Sequence, residues 1–371
     1  MRQPSHIRRL PFAAGLILTL SLSACARTNM VIDAGDAIVS PDLPSSHTNS
    51  VQSGSKRSAK ARNILILTSG GADGAFGAGV LTAWTESGKR PVFDIVSGTS
   101  TGALQATAAF LGPDYDHVLE SVYTSTTTRE VFRSNGIKTL LATGLYDPTP
   151  LRQLLEKVIS DGMLDAVAAA HAAGRRLYVT TTDMSAGKPV LWDMGAIAAS
   201  GTNRKDSYID VLVASAAVPG LVEPVYVRDS RGGPLAVHGD GGVKTPVPLE
   251  SFMFDRRASG LTDVWVIANG HVSREAAARS NASSTLSLAQ RGISQLIRQL
   301  LYVSVQEAQT KTRQAGARFH LIALPDVVPE AANPFAFKPA EMQGLYAMGR
   351  QRGFDQFATP TLKTSARLAA P

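Results

Sequence analysis

The stretch Val92 to Gly102, VFDIVSGTSTG, constrains this chain more than any other. An apolar, β-branched run stops abruptly at Ser97-Gly98, and Ala103 to Leu111 continues in small apolar residues of helical type. Between them Gly98-Thr99-Ser100-Thr101-Gly102 spells G-x-S-x-G, so the stretch predicts strand, tight turn, serine and helix in immediate succession, the nucleophile elbow. The glycines answer a steric demand, because a backbone that doubles back within contact distance leaves no room for side chains. The turn also places Ser100 at a helix N-terminus, where free N–H groups and the helix dipole favour a developing negative charge. An ordinary β-to-α turn fits the same letters, so the chemistry has to come from the rest of the chain.

The first 62 residues read as something other than a packed domain. Arg2, Arg8 and Arg9 precede the apolar run Leu10 to Leu22 and then Ser23-Ala24-Cys25, which is the order of a secretory signal over residues 1–24. The run is too short and interrupted for a membrane span of about 20 residues. Leu22-Ser23-Ala24-Cys25 resembles the lipobox of bacterial lipoproteins, and Cys25 is the only cysteine. The resemblance implies a lipidated Cys25 as the mature N-terminus. Ala26 behind it is similar to the outer-membrane sorting pattern, so the expectation is an envelope protein anchored by lipid, with membrane lipids as anchor and substrate. One cysteine forms no disulfide within the chain even in an oxidising compartment. Residues 25–62 are rich in Ser, Asn, Thr, Asp and Pro, show no apolar period, and read as a flexible tether. The formal charge of +7 falls to +4 once the three signal arginines are removed, and no basic run with interleaved aromatics marks a nucleic-acid surface.

Residues 63–360 are expected to form the folded domain, with 361–371 a tail. Asn63 to Thr68 (NILILT) has an unbroken apolar centre, Ile64 to Leu67, as a strand buried on both faces would. Further strands are predicted at Val92–Val96, Arg176–Thr182, Pro189–Asp193, Val222–Val227, Pro234–Val237, Val264–Ala268 and Phe319–Leu324. Helices are predicted at Ala75–Ser87, Ala103–Leu111, Tyr115–Tyr123, Thr149–Ser160, Met163–Ala173, Asp210–Ala217, Leu286–Ala315 and Ala340–Phe357. Strands alternating with helices predict an α/β fold with a mostly parallel central sheet covered on both faces.

A serine hydroxyl needs a base to take its proton and donors for the oxyanion that its attack on an acyl carbonyl creates. Ser69-Gly70-Gly71-Ala72-Asp73-Gly74 leads from a buried strand into a helix with almost no side chains, so several N–H groups can point at one oxygen. It lacks the G-x-G-x-x-G spacing and the Lys-Ser/Thr pair of nucleotide loops. His238-Gly239-Asp240-Gly241-Gly242 sets an acid among glycines at the end of an apolar strand, a position that an aspartate capping a turn would also occupy.

Together these stretches resemble the patatin-like phospholipase family. Its G-G-G-x-[RK]-G loop falls on Ser69 to Gly74, its G-x-S-x-G on Gly98 to Gly102 and its D-G-[GA] on Asp240-Gly241-Gly242. Its A-S-x-A-x-P-x-x-F-x-P is similar to Ala214-Ser215-Ala216-Ala217-Val218-Pro219-Gly220-Leu221-Val222-Glu223-Pro224. The resemblance implies a three-layer α/β/α hydrolase in which Ser100 is the nucleophile, Asp240 the base of a Ser-Asp dyad, and Gly70, Gly71 and Ala72 the oxyanion hole. It implies no metal, nucleotide or other cofactor, and membrane glycerophospholipids or lysophospholipids as substrates. Among the departures from the pattern, Ser69 replaces a glycine, Asp73 a basic residue, and Pro246 an asparagine. Asp73 is expected to point outward as a helix N-terminal acid. Two rival readings accompany this one. Ser100, Asp240 and His271 occur in the chain order of an α/β-hydrolase triad, with His271 otherwise a solvated loop residue, and a non-catalytic envelope lipoprotein could keep the fold for binding.

Overall fold

A computed structural model describes residues 31–33, 38–39 and 61–357, except 137–138, 140–141, 202, 229–234, 255–260, 274–284 and 329–334. The expected signal sequence, Cys25, the C-terminal tail and the turn at residues 229–233 lie outside the described residues. The strands are β1 (Val31–Asp33), β2 (Ile38–Val39), β3 (Arg62–Leu67), β4 (Ile95–Thr99), β5 (Arg133–Ser134), β6 (Gly144–Asp147), β7 (Arg176–Asp183), β8 (Lys188–Asp193), β9 (Gly220–Val222), β10 (Val225–Arg228), β11 (Ala236–Asp240), β12 (Thr262–Ala268) and β13 (Arg318–Ala323). The helices are α1 (Gly74–Glu86), α2 (Thr101–Leu111), α3 (Asp116–Ser125), α4 (Thr128–Val131), α5 (Thr149–Val158), α6 (Asp161–Ala172), α7 (Met194–Ala199), α8 (Arg204–Ser215), α9 (Thr285–Gln314) and α10 (Pro339–Phe357).

The main sheet runs β1-β10-β11-β7-β4-β3-β12-β13, with β8 also on β7 and β2 on β8. Its centre, β7-β4-β3-β12-β13, is parallel throughout, while β11 and β8 pair antiparallel with β7. The alternation along β3 shows why its last four residues, Ile64 to Leu67, are all apolar. Leu65 and Leu67 pack on one side with Phe76 of α1 and Ala103 of α2, whereas Ile64 and Ile66 pack on the other with Val264, Val266 and, from α9, Leu301 and Val305. The sheet is therefore covered on both faces, and each fully buried aliphatic side chain adds about 1.5–3 kcal/mol of transfer free energy. The chain leaves β3 for β4 on one side and returns to β12 on the other, so the crevice above the carboxyl ends of β3, β4 and β12 lies at a switch point in strand order.

Several boundaries differ from the sequence expectation, each for a local reason. β4 is Ile95–Thr99 rather than Val92–Val96, since Val92 is exposed and the strand runs directly into the turn. Val222 to Val227 is two strands, β9 and β10, with Glu223-Pro224 between them, proline having no N–H to give a ladder. The expected helix Asp210–Ala217 is longer, because α8 starts at Arg204 with a polar first turn that carries no apolar signal. The segment expected to be a tether departs from that reading in two places: β1 pairs in parallel with β10, and β2 pairs with β8. Two or three residues suffice for an edge pairing, too few to leave a period in the sequence.

Candidate active site

The turn after β4 has the conformation its glycines foreshadow. Ser100 stands at φ 55° and ψ −125°, a region that side-chain-bearing residues rarely occupy, and α2 begins at Thr101. A Cβ on Gly98 would collide with the Gly102 carbonyl, and one on Gly102 with the Leu67 carbonyl of β3, so neither position accepts a side chain. The strained residue is held from the side. Its N–H donates to Ser215 Oγ at 2.9 Å, and that hydroxyl donates in turn to the Thr180 carbonyl of β7 at 2.7 Å. Ser215 is the last residue of α8 and belongs to the Ala214 to Pro224 stretch. The sequence marks that stretch without assigning the serine a role; only the folded chain shows it bracing the elbow.

Asp240 is the last residue of β11. Strand register brings it to the serine: Thr99 pairs with Thr180, and Asp240 with Thr181, so the acid arrives beside the carboxyl end of β4 from two strands away. Its backbone is fixed by Asp240 N–H on the Ala217 carbonyl at 2.8 Å and by the Thr182 hydroxyl on its own carbonyl at 2.9 Å. Its Oδ1 accepts from Gly242 N–H at 2.6 Å, and the Ser100 side chain is its hydrogen-bond partner. Asp240 is only 4% exposed. Burial pushes its carboxyl up to about 6, against the opposing pull of the Ser100 hydroxyl and the Gly242 N–H. Pro246 does not disturb this turn, which is closed by the N–H groups of Lys244 and Thr245 on the Gly241 carbonyl.

The glycine-rich loop lies on the other side of Ser100. Gly71–Asp73 form a 3-10 turn that leads directly into α1, so Gly70, Gly71 and Ala72 precede a helix start, where N–H groups lack intrahelical acceptors. The loop rests on a buried amide network. Asn269 donates from its backbone to Thr68 Oγ1 at 3.0 Å, and from Nδ2 to the Thr68 carbonyl at 3.0 Å and to Gln105 Oε1 at 3.1 Å. Gln105 reaches back from α2 to the Gly74 carbonyl. Asn269 and Gln105 were not legible as site residues, because their role depends on β12 lying next to β3 and on α2 packing below the loop.

These parts border one cleft of about 880 Å³, counting its solvent-filled mouth, lined by Ser69, Gly70, Gly71, Asp73, Ser100, Asp240 and Gly242, with Val218, Ile297, Leu301 and Phe335 as apolar wall. One expectation changes here. Asp73 borders the cleft, and its side chain makes no capping hydrogen bond to α1. His271 is a wall residue only 6% exposed, not a solvated loop histidine, and its Nδ1 lies 3.8 Å from Asp326. His238 shares a strand face with Asp240 but does not border the cleft; its ring meets Thr181 Oγ1 at 2.9 Å and packs edge-on against Trp192. Burial lowers its pKa to about 4, so it is neutral near pH 7.

The family model of patatin-like phospholipases matches residues 65–253, more than half of the chain. The chain belongs to the patatin-like phospholipase family. Its matched span holds the glycine-rich loop, the elbow and Asp240 and ends before β12, α9 and α10. A cGAMP-activated phospholipase of Escherichia coli is 27% identical over 195 residues, which are 48% of this chain and 51% of the relative, so the chain spans about half the length of that curated relative. Among solved structures, VipD of Legionella pneumophila aligns at 14% identity and a TM-score of 0.42 over 81% of this chain and 68% of that one. The complex of SpcU with ExoU from Pseudomonas aeruginosa aligns at 12% identity and 0.29, over 81% and 53%.

Two predictions follow from this patatin-like site. Ser215→Ala removes the acceptor of the Ser100 N–H and the donor to Thr180, and should lower stability by about 1–3 kcal/mol in urea unfolding. Asp240→Asn should raise stability at pH 7. The folded carboxyl, near 6, lies above its ordinary value of 3.8, so ionising it opposes folding by roughly 3 kcal/mol above pH 6 and not at all below about pH 4. A melting temperature raised at pH 7 and unchanged at pH 3.5 is the expected result.

Proposed function

We propose that this chain is a serine lipid acyl hydrolase of phospholipase A or lysophospholipase type that works through a Ser100-Asp240 dyad and an acyl-enzyme. The carrying observation is a serine in a strained elbow whose hydroxyl partners a buried carboxylate with a pKa near 6. At neutral pH that carboxylate is ionised, yet basic enough to accept a proton, which an ordinary aspartate near 3.9 does poorly. As Ser100 Oγ bonds to the ester carbonyl carbon, its proton passes to Asp240, and the oxyanion faces the N–H groups of Gly70, Gly71 and Ala72. Collapse breaks the ester bond, and Asp240 returns the proton to the leaving alcohol. Water then repeats the sequence: Asp240 takes its proton, its oxygen bonds to the acyl carbon, and Ser100 leaves with the proton as the fatty acid is released. The apolar wall of Val218, Ile297, Leu301 and Phe335 suits an aliphatic acyl chain.

A second reading is a triad through His271, favoured by its burial in the same cleft. Against it, Asp240 partners Ser100 directly, with no imidazole between them, and His271 Nδ1 lies toward Asp326. Wild-type enzyme should take up a fluorophosphonate and Ser100→Ala should not. Asp240→Asn should lower kcat by orders of magnitude, and His271→Ala far less than either. Because the base must be ionised, kcat/KM should fall on the acid side with a midpoint near pH 6. A His271→Ala variant as inactive as Ser100→Ala, with an unchanged melting temperature, would establish the triad instead.

The same proposal includes anchoring through Cys25 in the cell envelope, supported by the signal pattern and the single cysteine. Cys25→Ala should yield protein without a lipid-modified N-terminus by intact mass spectrometry, and a modified variant would refute the anchor. Stable attachment needs the two or more acyl chains that a lipobox implies, since one chain binds membranes only marginally.

A further inference from the structure

We propose that the Ser69 hydroxyl orients the water that hydrolyses the acyl-enzyme; the proposal rests on the acyl-hydrolase reading above and adds a third side chain to the Ser100-Asp240 pair. Ser69 stands where the family pattern has a glycine, so this hydroxyl is an addition to the shared machinery. The residue is 6% exposed and borders the same cleft as Ser100 and Asp240. Its backbone is tied down, since its carbonyl accepts from Thr68 Oγ1 at 2.9 Å, whereas its Oγ meets no hydrogen-bond partner. Ser97, Thr99 and Thr180 also carry unpartnered hydroxyls, but these lie within β4 and β7 and none of them lines the cleft. A buried hydroxyl left without a partner is costly, and one that borders a solvent-filled cleft is satisfied by water.

The place of the hydroxyl selects its task. A Cβ on Gly242 would stand 2.9 Å from Asp240 Oδ1 and 3.2 Å from Ser69 Oγ. The two oxygens are therefore no more than about 6 Å apart, with no side chain on Gly242 to separate them, and one water making two hydrogen bonds of about 2.8 Å spans such a gap. Gly242 N–H holds the carboxylate here, donating to Oδ1 at 2.6 Å. Once Ser100 is acylated it has no proton to share with Asp240, and the carboxylate is open to a water. That water carries two hydrogens. One points to Asp240, and Ser69 Oγ accepts the other, which leaves an oxygen lone pair free for the acyl carbon. In the step itself the water oxygen bonds to the acyl carbon and one proton passes to Asp240, while the second stays on the new hydroxyl beside Ser69. The bond from carbon to Ser100 Oγ then breaks, and Asp240 returns its proton to Ser100. A role at the oxyanion fits the geometry less well, because the Ser69 side chain lies against Gly242 beside the acid.

The test uses the full chain in detergent micelles with p-nitrophenyl octanoate and a fixed concentration of methanol, and reads the ratio of octanoic acid to methyl octanoate by mass spectrometry. Both products arise from the same acyl-enzyme, so the ratio reports on the attacking molecule alone and is blind to the speed of acylation. Methanol has one hydroxyl hydrogen, which Asp240 takes, and gains nothing from a second acceptor. Ser69→Ala should therefore lower the acid-to-ester ratio about fivefold to tenfold, the scale of one neutral hydrogen bond. Ser69→Gly, which restores the family's residue, should lower it equally. A merely structural role would slow both products together and leave the ratio at its wild-type value in both variants, which would overturn the proposal while leaving the Ser-Asp mechanism standing. Should Ser69→Ala fail to fold, Ser69→Gly decides alone by the same ratio. A wild-type enzyme that forms no methyl ester has no acyl-enzyme open to the cleft, and that result removes the acyl-enzyme reading and this proposal with it.

Discussion

The hydrogen bond from the Ser100 N–H to Ser215, continued by Ser215 to the Thr180 carbonyl, is the constraint on which the site depends. A serine at positive φ costs on the order of 1–3 kcal/mol and persists only where its surroundings over-determine it. Here β4, β7 and α8 do so together, and the strained turn leaves the side chain toward Asp240 instead of into the helix. Strain spent on orientation is useful in a catalyst, because a nucleophile held in one direction needs no rearrangement when substrate arrives.

The acid works under the opposite kind of tension. Asp240 sits where its charge is poorly solvated, and the two hydrogen bonds to its carboxylate do not fully offset that burial. The same desolvation that raises its pKa opposes folding, a conflict expected at functional sites. The glycine-rich loop is supported instead by neutral groups: Asn269 donates to Thr68 and Gln105 beneath it.

The shared and individual parts of this molecule separate along the chain. The matched span, residues 65–253, carries the loop, the serine and the acid, whereas α9 supplies Ile297, Arg298 and Leu301 to the cleft from beyond it. One part of the chain thus carries the motifs of the family, and another adds wall to the cleft that they border. That division is why a family resemblance speaks to the reaction more firmly than to the substrate.

Much of this was legible in the sequence because it obeys local rules. The apolar centre of NILILT fitted a strand buried on both faces, and G-x-S-x-G between strand and helix fitted the elbow, since close backbone approach excludes side chains. The main helices also followed from periodicity. What escaped depends on contacts between residues far apart in the chain. His271 is buried although its loop looked polar, and β1 and β2 join sheet edges from a segment without an apolar period. Ser215 meets Ser100 across 115 residues, and Asn269 meets Thr68 across 201. No window of sequence contains both members of such a pair, so the sequence determined which residues could do chemistry, and only the tertiary structure decided which of them meet.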